Sequence, residues 1–187
     1  MSSPHPLTQR LIERLQRRPA NPILDFAAGS GRNGEALRRA GFSVISVADD
    51  VAASTSPLAG VADPVSAALS THGLLHGTPC AIAARVRAIG DCLEPGGLLY
   101  ATFGSIRDAR FGCGERIDDA TYAPLDGDER GVAHTYFDGA RLRALLEDGF
   151  VIESLDECVV DGIAGSWAHR ERPLAGAVHW FAQVRKP

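Results

Sequence analysis

The sequence predicts an α/β fold: a mostly parallel sheet flanked by helices, with a C-terminal antiparallel hairpin. Three observations carry this expectation. Short apolar, strand-like runs alternate with helix-period segments from Ile23 to Gly149, the pattern of parallel strands joined by helical crossovers. A glycine turn, "GSGRNG", separates the first strand from the helix after it. The last two strand-like runs have no helix between them, which fits an antiparallel pair.

The elements follow in order. Leu7, Leu11, Ile12 and Leu15 recur at helical spacing among Gln, Arg and Glu, predicting an amphipathic helix over 6–18 that "RRPANP" stops. "PILDFAA" is the first strand. The helix after the glycine turn directs Ala36, Leu37 and Ala40 to the sheet and ends at Gly41. "FSVISVA" is the second strand, and "DDVAASTSPLAGVADP" reads as loop because it is rich in small residues and poor in large apolar ones. "VSAALST" is the third strand. A helix from about Cys80 to Leu93 comes next, then an "EPGG" turn and the strand "LLYATFG". Residues 105–135 look irregular and are expected to form a substrate wall or lid, as are 159–175. Between them lie the helix "DGARLRALLEDG" and the strand "FVIESLDE", and "GAVHWFAQVRK" closes the chain.

At 187 residues with 45% hydrophobic content, the chain suits one well-cored domain, 1–187. Nineteen basic against twenty-three acidic residues give a net charge of −4, so no global positive field draws in nucleic acid or an anionic membrane. The N-terminal residues lack a signal peptide's apolar core, and no run approaches the roughly 20 apolar residues of a membrane span. A cytoplasmic protein is expected. Cys80, Cys92, Cys113 and Cys158 form no C-x-x-C pair, which argues for reduced thiols over a zinc ribbon or a disulfide framework.

"GSGRNG" satisfies the G-x-G-x-x-G pattern, with acids about twenty residues on, so a nicotinamide dinucleotide must be weighed. Asp25 discriminates. It lies in an apolar strand four positions before Gly29, and a buried carboxylate needs a cationic or hydrogen-bonding partner. Beside a pyrophosphate it would repel; beside an ammonium group it would attract. S-adenosylmethionine carries that ammonium, with a ribose whose two hydroxyls suit an acceptor at the end of the second strand, Asp49 or Asp50. The plainer alternatives are that Asp25 caps the loop or helix through backbone N–H groups and that Asp49 is a solvated turn residue.

"LDFAAGSGRN" followed by "LEPGGLLYATFG" resembles the class I S-adenosylmethionine-dependent methyltransferases. "STHGLLHGTP" and "HTYFD" are similar to the small tellurite-resistance and thiopurine methyltransferase-like group. The likeness runs from Pro22 to Pro187 and implies a Rossmann-like sheet, S-adenosylmethionine as cofactor and a small-molecule acceptor. Two departures stand out. Ala27 occupies the place of the first motif glycine, and the interval after Asp50 is too short for the helix and strand that family members carry there. The fold is therefore expected to be trimmed between the second and fourth strands of the family pattern, either leaving the second strand at or near an edge or keeping a very short strand beyond it.

The resemblance and the turn chemistry together nominate Asp25, Ala27, Gly29, Gly31, Arg32, Asn33, Asp49, Asp50, Ser70 and Thr71 for the cofactor. Gly29 and Gly31 let the backbone approach the ligand, and the helix starting near Arg32 offers its N–H groups to a carboxylate. A solvent-facing helix start would equally explain Arg32 and Asn33. Methyl transfer needs an acceptor held in line, shielded from water and, if protonated, relieved of its proton. His72, after the third strand, is the candidate base or substrate ligand. His76, Arg110, His134, Tyr136 and Trp167 are the candidate substrate residues, with the arginines of the lid making it partly cationic. His72 and His76 have i, i+4 spacing but lack the H-E-x-x-H glutamate and a third ligand in sequence, so no metal is expected. A non-catalytic S-adenosylmethionine-binding module and an NAD-dependent oxidoreductase are the competing readings. The second has no room for a substrate domain. There is no N/D-P-P-Y/F segment after "VSAALS", which speaks against a nucleic-acid amino-methylating enzyme.

Overall fold

The computed structural model describes residues 3–16, 22–48, 58, 61, 64–161, 163 and 175–187. Helix α1 spans Pro6–Leu15, with Pro6 in the first turn, where its missing N–H costs nothing, and Leu7, Leu11, Ile12 and Leu15 buried. Strand β1 (Ile23–Phe26) leads through the glycine turn to α2 (Arg32–Arg39), then β2 (Val44–Val47) and β3 (Val65–Ser70). Helix α3 (Pro79–Cys92) starts at Thr78, whose hydroxyl accepts the Ala81 N–H, and runs directly into β4 (Leu93–Ser105). Two short strands follow, β5 (Glu115–Arg116) and β6 (Thr121–Ala123), then β7 (His134–Phe137). Asp138 caps α4 (Gly139–Glu147) by accepting the Arg141 N–H, and β8 (Val151–Val159) and β9 (Val178–Arg185) form the final antiparallel pair.

The sheet runs β2-β1-β3-β4, parallel throughout, and β9 then pairs antiparallel with β4 and with β8. The expected mostly parallel sheet and terminal hairpin are both present. Among the described residues β2 is the last strand on its side. Alternation along the strands divides the core into two layers. Leu24, Phe26, Ala68, Leu99, Ala101 and Phe103 face α3 and α4. Ile23, Ala67, Leu69, Leu98 and Tyr100 face α1 and α2.

Two expectations are corrected. The "EPGG" turn is not a separate connection but an irregularity inside β4: Val65 pairs with Leu93 and Ala67 with Leu98, so extra residues bulge from one strand. The stretch 105–135 is not wholly irregular, because β5, β6 and β7 form a small antiparallel ribbon. Its strands have two to four residues and no apolar period, which leaves no pattern to read. Strand β7 attaches in parallel to Gly104 and Ser105 of β4, beyond the Ala101 position where β3 stops pairing with that strand. The ribbon thereby stands over the carboxyl end of β3.

Candidate functional site

The turn between β1 and α2 has a left-handed backbone at three positions: Ala27 (φ 58°), Gly29 (φ 51°) and Gly31 (φ 77°). Ala27 thus holds a conformation that favours glycine, at a cost of about 1 kcal/mol. Gly31 begins α2 with no side-chain cap, so the positive end of the helix dipole, which favours an anionic group, lies at the turn. A side chain at Gly73 would collide with Ala27 Cβ, so the loop after β3 packs tightly on the turn.

Asp25 is 2% exposed and shares its register position with Ser46 of β2. A Cβ added at Gly34 would stand 2.8 Å from Asp25 Oδ2, 3.2 Å from Arg38 Nη1 and 3.3 Å from Ser46 Oγ, which places the carboxyl beneath the first turn of α2. Gly34, the third glycine of "GSGRNG", is what lets the helix come this close. No hydrogen bond closes on Oδ2 among the described residues. Burial pushes the Asp25 carboxyl up to about 6, against the opposing pull of the Gly34 N–H and Arg38.

Asn33 is buried rather than solvent-facing. Its Oδ1 accepts the His5 N–H and the Thr8 hydroxyl, both at 2.9 Å, and its Nδ2 donates to Thr71 Oγ1 at 2.8 Å. One side chain therefore ties α1, α2 and the end of β3 together, with Asn33 and Thr71 committed to each other. His5 completes the junction by capping α1, its Nδ1 accepting the Leu7 N–H at 3.2 Å. That role needs a neutral ring, and burial together with the charges of Arg32, His179 and Arg10 lowers His5 to about 3. Burial also depresses the pKa of Arg32, at the start of α2. Ser70 is buried at the end of β3, and its hydroxyl makes no hydrogen bond among the described residues.

The loop after β3 brings His72 and His76 to the ribbon. Arg85 of α3 holds this loop by donating to the carbonyls of Gly73 (3.4 Å) and His76 (2.5 Å). From the other side, the Gly77 N–H donates to Ala133 O at 2.7 Å, and Thr135 Oγ1 donates to Gly77 O at 2.6 Å. His134 then lies opposite His76 across an antiparallel bridge. Glu129, from the turn before β7, receives all three imidazoles: His72 Nε2 at 3.2 Å and His76 Nε2 at 3.3 Å on Oε1, and His134 Nε2 at 3.1 Å on Oε2. The rings meet edge to face, with centroids 4.5 Å apart for His72 and His76 and 4.8 Å for His76 and His134. Burial alone would raise the Glu129 carboxyl, but the hydrogen bonds with His134 and His72 and the close approach of His76 hold it well below the usual range. Burial lowers His72, with Glu129 opposing.

The lid differs in charge from its expected cationic character. Arg110 is locked in a two-pronged pair with buried Asp108 at 2.8 and 2.9 Å; Arg107 pairs with Glu157 at 3.1 Å, and Arg116 pairs with Asp119. What the lid presents is aromatic: the Phe111 ring lies 5.5 Å from that of Tyr122 and 5.6 Å from that of Tyr136. Burial raises the Tyr136 hydroxyl, which stays protonated. Asp49, Asp50 and Trp167 lie outside the described residues. Glu129 was missed in the sequence because "LDGDERG" reads as a solvated acidic turn, and only His134 five positions later hinted at a partner.

No family model matches the chain, and no curated protein matches it in sequence. Solved structures do. An S-adenosylmethionine-dependent methyltransferase from Methanosarcina mazei superposes with a TM-score of 0.72 at 16% identity, covering 98% of each chain. The 1,6-didemethyltoxoflavin-N1-methyltransferase of Burkholderia thailandensis, solved with 1,6-didemethyltoxoflavin and S-adenosylhomocysteine bound, gives 0.65 at 21% identity over 97% of this chain and 77% of that one. The chain has the class I methyltransferase fold. TehB from Haemophilus influenzae, with a TM-score of 0.62 at 13% identity, matches 98% of this chain and 62% of its own. Within this fold Asp25 lies in β1, the Ala27–Gly31 turn forms the β1-to-α2 connection, and the histidine cluster sits at the carboxyl end of β3, on the edge of the sheet where open α/β folds bind ligands.

Proposed function

We propose that the protein is an S-adenosylmethionine-dependent methyltransferase acting on a small-molecule acceptor. The observation that carries this reading is the β1-to-α2 turn. Its three left-handed residues lead into the N-terminus of α2, and a buried carboxylate lies beneath the first turn of that helix. A ligand with both a carboxylate and an ammonium group matches that pairing of charges; a dinucleotide pyrophosphate does not. The buried Asp25 Oδ2 and Ser70 Oγ, neither of which has a hydrogen-bond partner among the described residues, fit a site that expects a polar ligand.

When bound, the cofactor supplies an already activated sulfonium methyl group, so the protein's task is placement. Gly29 and Gly31 admit the ligand backbone, and the N-terminus of α2 receives its carboxylate. Asn33 holds α1 across this end of the sheet, where the helix excludes water. Asn33 and Thr71 act by positioning rather than by contact. The acceptor sits between the turn and the ribbon, against Phe111, Tyr122 and Tyr136, with the His72–His76–Glu129–His134 cluster at its polar end. An aromatic wall with paired arginines suits a planar, weakly charged acceptor, and the net charge of −4 supports a small molecule over a nucleic acid. The structurally similar B. thailandensis enzyme, solved with the small molecule 1,6-didemethyltoxoflavin bound, supports a small-molecule acceptor.

Calorimetric titration with S-adenosylmethionine, S-adenosylhomocysteine and NAD tests the reading. Binding of both sulfur ligands without NAD is expected. Binding of NAD alone would replace it with an oxidoreductase.

A further inference from the structure

Three imidazoles from two separate segments converge on one carboxylate. His72 and His76 come from the loop after β3, and His134 comes from β7; Glu129 stands between them. The chelating atoms of His72, His76 and Glu129 all lie within 4.8 Å of one another. Two of these separations, 3.2 and 3.3 Å, fall on the ligand-to-ligand spacing of a tetrahedral zinc site. With metal–ligand bonds of about 2.0–2.1 Å, that edge is about 3.3–3.4 Å.

We propose that His72, His76 and Glu129 bind a divalent transition-metal ion, with His134 as a fourth ligand or as the residue that orients Glu129. The donor chemistry selects the class of ion. Two or three imidazole nitrogens and one carboxylate oxygen suit zinc, cobalt, nickel or ferrous iron, whereas calcium and magnesium require oxygen ligands.

His134 is placed to take part through Nε2. Its Nδ1 lies 2.8 Å from Val132 O, which can only accept, so Nδ1 carries a hydrogen. Its Nε2 is thereby aimed at Glu129, with Oε2 at 3.1 Å. The Val132 contact is also the orienting bond that metal-binding histidines commonly make through their other nitrogen.

The loop holding His72 and His76 is prearranged by Arg85, Gly77 and Thr135, so ion binding needs no refolding of the chain. The sequence hides the site because Glu129 follows His72 by 57 positions. The site stands whether or not the methyl-transfer reading holds. If both hold, the ion lies at the acceptor end, where it would bind an acceptor oxygen, nitrogen or sulfur and favour its deprotonated form.

The test is metal uptake by the full chain, stripped with chelator and titrated with Zn2+ and with Co2+ in the absence of any adenosyl ligand. One ion per chain, with the visible spectrum of low-coordinate Co2+ and a rise in melting temperature, is expected. His76→Gln and Glu129→Gln should each weaken uptake by about 100-fold or more, and His134→Gln by about 10–100-fold, the range typical of outer-shell partners. Circular dichroism of each variant separates ligand loss from misfolding. Cys80 and Cys113 are exposed thiols, so uptake that survives in both His76→Gln and Glu129→Gln would assign the ion elsewhere and overturn the proposal. Failure of the wild-type chain to take up either ion would also overturn it, leaving an ion pair of Glu129 with His134 as the cluster's role.

Discussion

Replacing Asp25 with asparagine should move stability and cofactor affinity in opposite directions. In the folded protein burial holds this carboxyl at about 6, against an ordinary 3.8. At neutral pH the folded state therefore carries an ionised group that the unfolded chain solvates better. That gap corresponds to about 3 kcal/mol of destabilisation. A raised carboxyl pKa favours the fold at low pH and loses that benefit as pH rises through about 6. Asp25→Asn removes the ionisation, so the variant should be more stable than wild type above pH 7 by up to about 3 kcal/mol, or about 6–12 °C in melting temperature for a chain of this length. The advantage should shrink between pH 6 and pH 4 and be nearly absent at pH 4, where both side chains are neutral. Thermal denaturation across pH 4–8 reads this directly. In parallel, S-adenosylmethionine affinity should fall about 10- to 100-fold, the worth of one lost charge-assisted contact. A purely structural carboxylate would leave affinity unchanged. A variant no more stable than wild type at pH 7.5, or one that is more stable but binds the cofactor as well, would refute the reasoning.

Other substitutions probe the scaffold around the turn. Ala27→Gly should stabilise the protein by about 1 kcal/mol by relieving the left-handed backbone, measured as a higher denaturation midpoint with cofactor affinity retained. Gly73→Ala should destabilise it through the collision with Ala27 Cβ, and Ala27→Gly in the same chain should recover part of that loss, a coupling readable in a double-mutant cycle. Gly34→Ala should push α2 off Asp25 and cost about 1–3 kcal/mol, with cofactor affinity falling alongside. Asn33→Ala should leave His5, Thr8 and Thr71 without their shared partner, costing about 2 kcal/mol or more and speeding hydrogen exchange in α1.

The parts of the fold that could be read in the sequence are those whose pattern is local. The β1–turn–α2–β2 unit announces itself by apolar strands, glycines and a helical period, and the Leu7–Leu15 stripe marks α1 as plainly. The ribbon does not, because two- and four-residue strands such as Glu115–Arg116 and His134–Phe137 are defined by what they pair with. The site divides along the same line. Asp25 stood out because a carboxylate in an apolar strand is costly, and His72 because it ends a strand. Glu129 looked like any acid in a polar turn until β7, paired beyond the end of β3, carried that turn over the two histidines. Arg110 looked free for the same reason: its partner Asp108, two residues away, is buried only in the folded chain. The sequence nominates Arg32 and Asn33 for the cofactor with a solvent-facing helix start as the alternative, yet Asn33 is a buried junction of three elements.

The central claim is that the turn from β1 into α2 was built for S-adenosylmethionine. Isothermal titration of the purified chain with S-adenosylhomocysteine, repeated with Asp25→Asn, tests it most directly. One-to-one binding by the wild type, with affinity lost about 10- to 100-fold in the variant, is the predicted result. A flat titration of the wild-type chain, with its fold intact by circular dichroism, would contradict it.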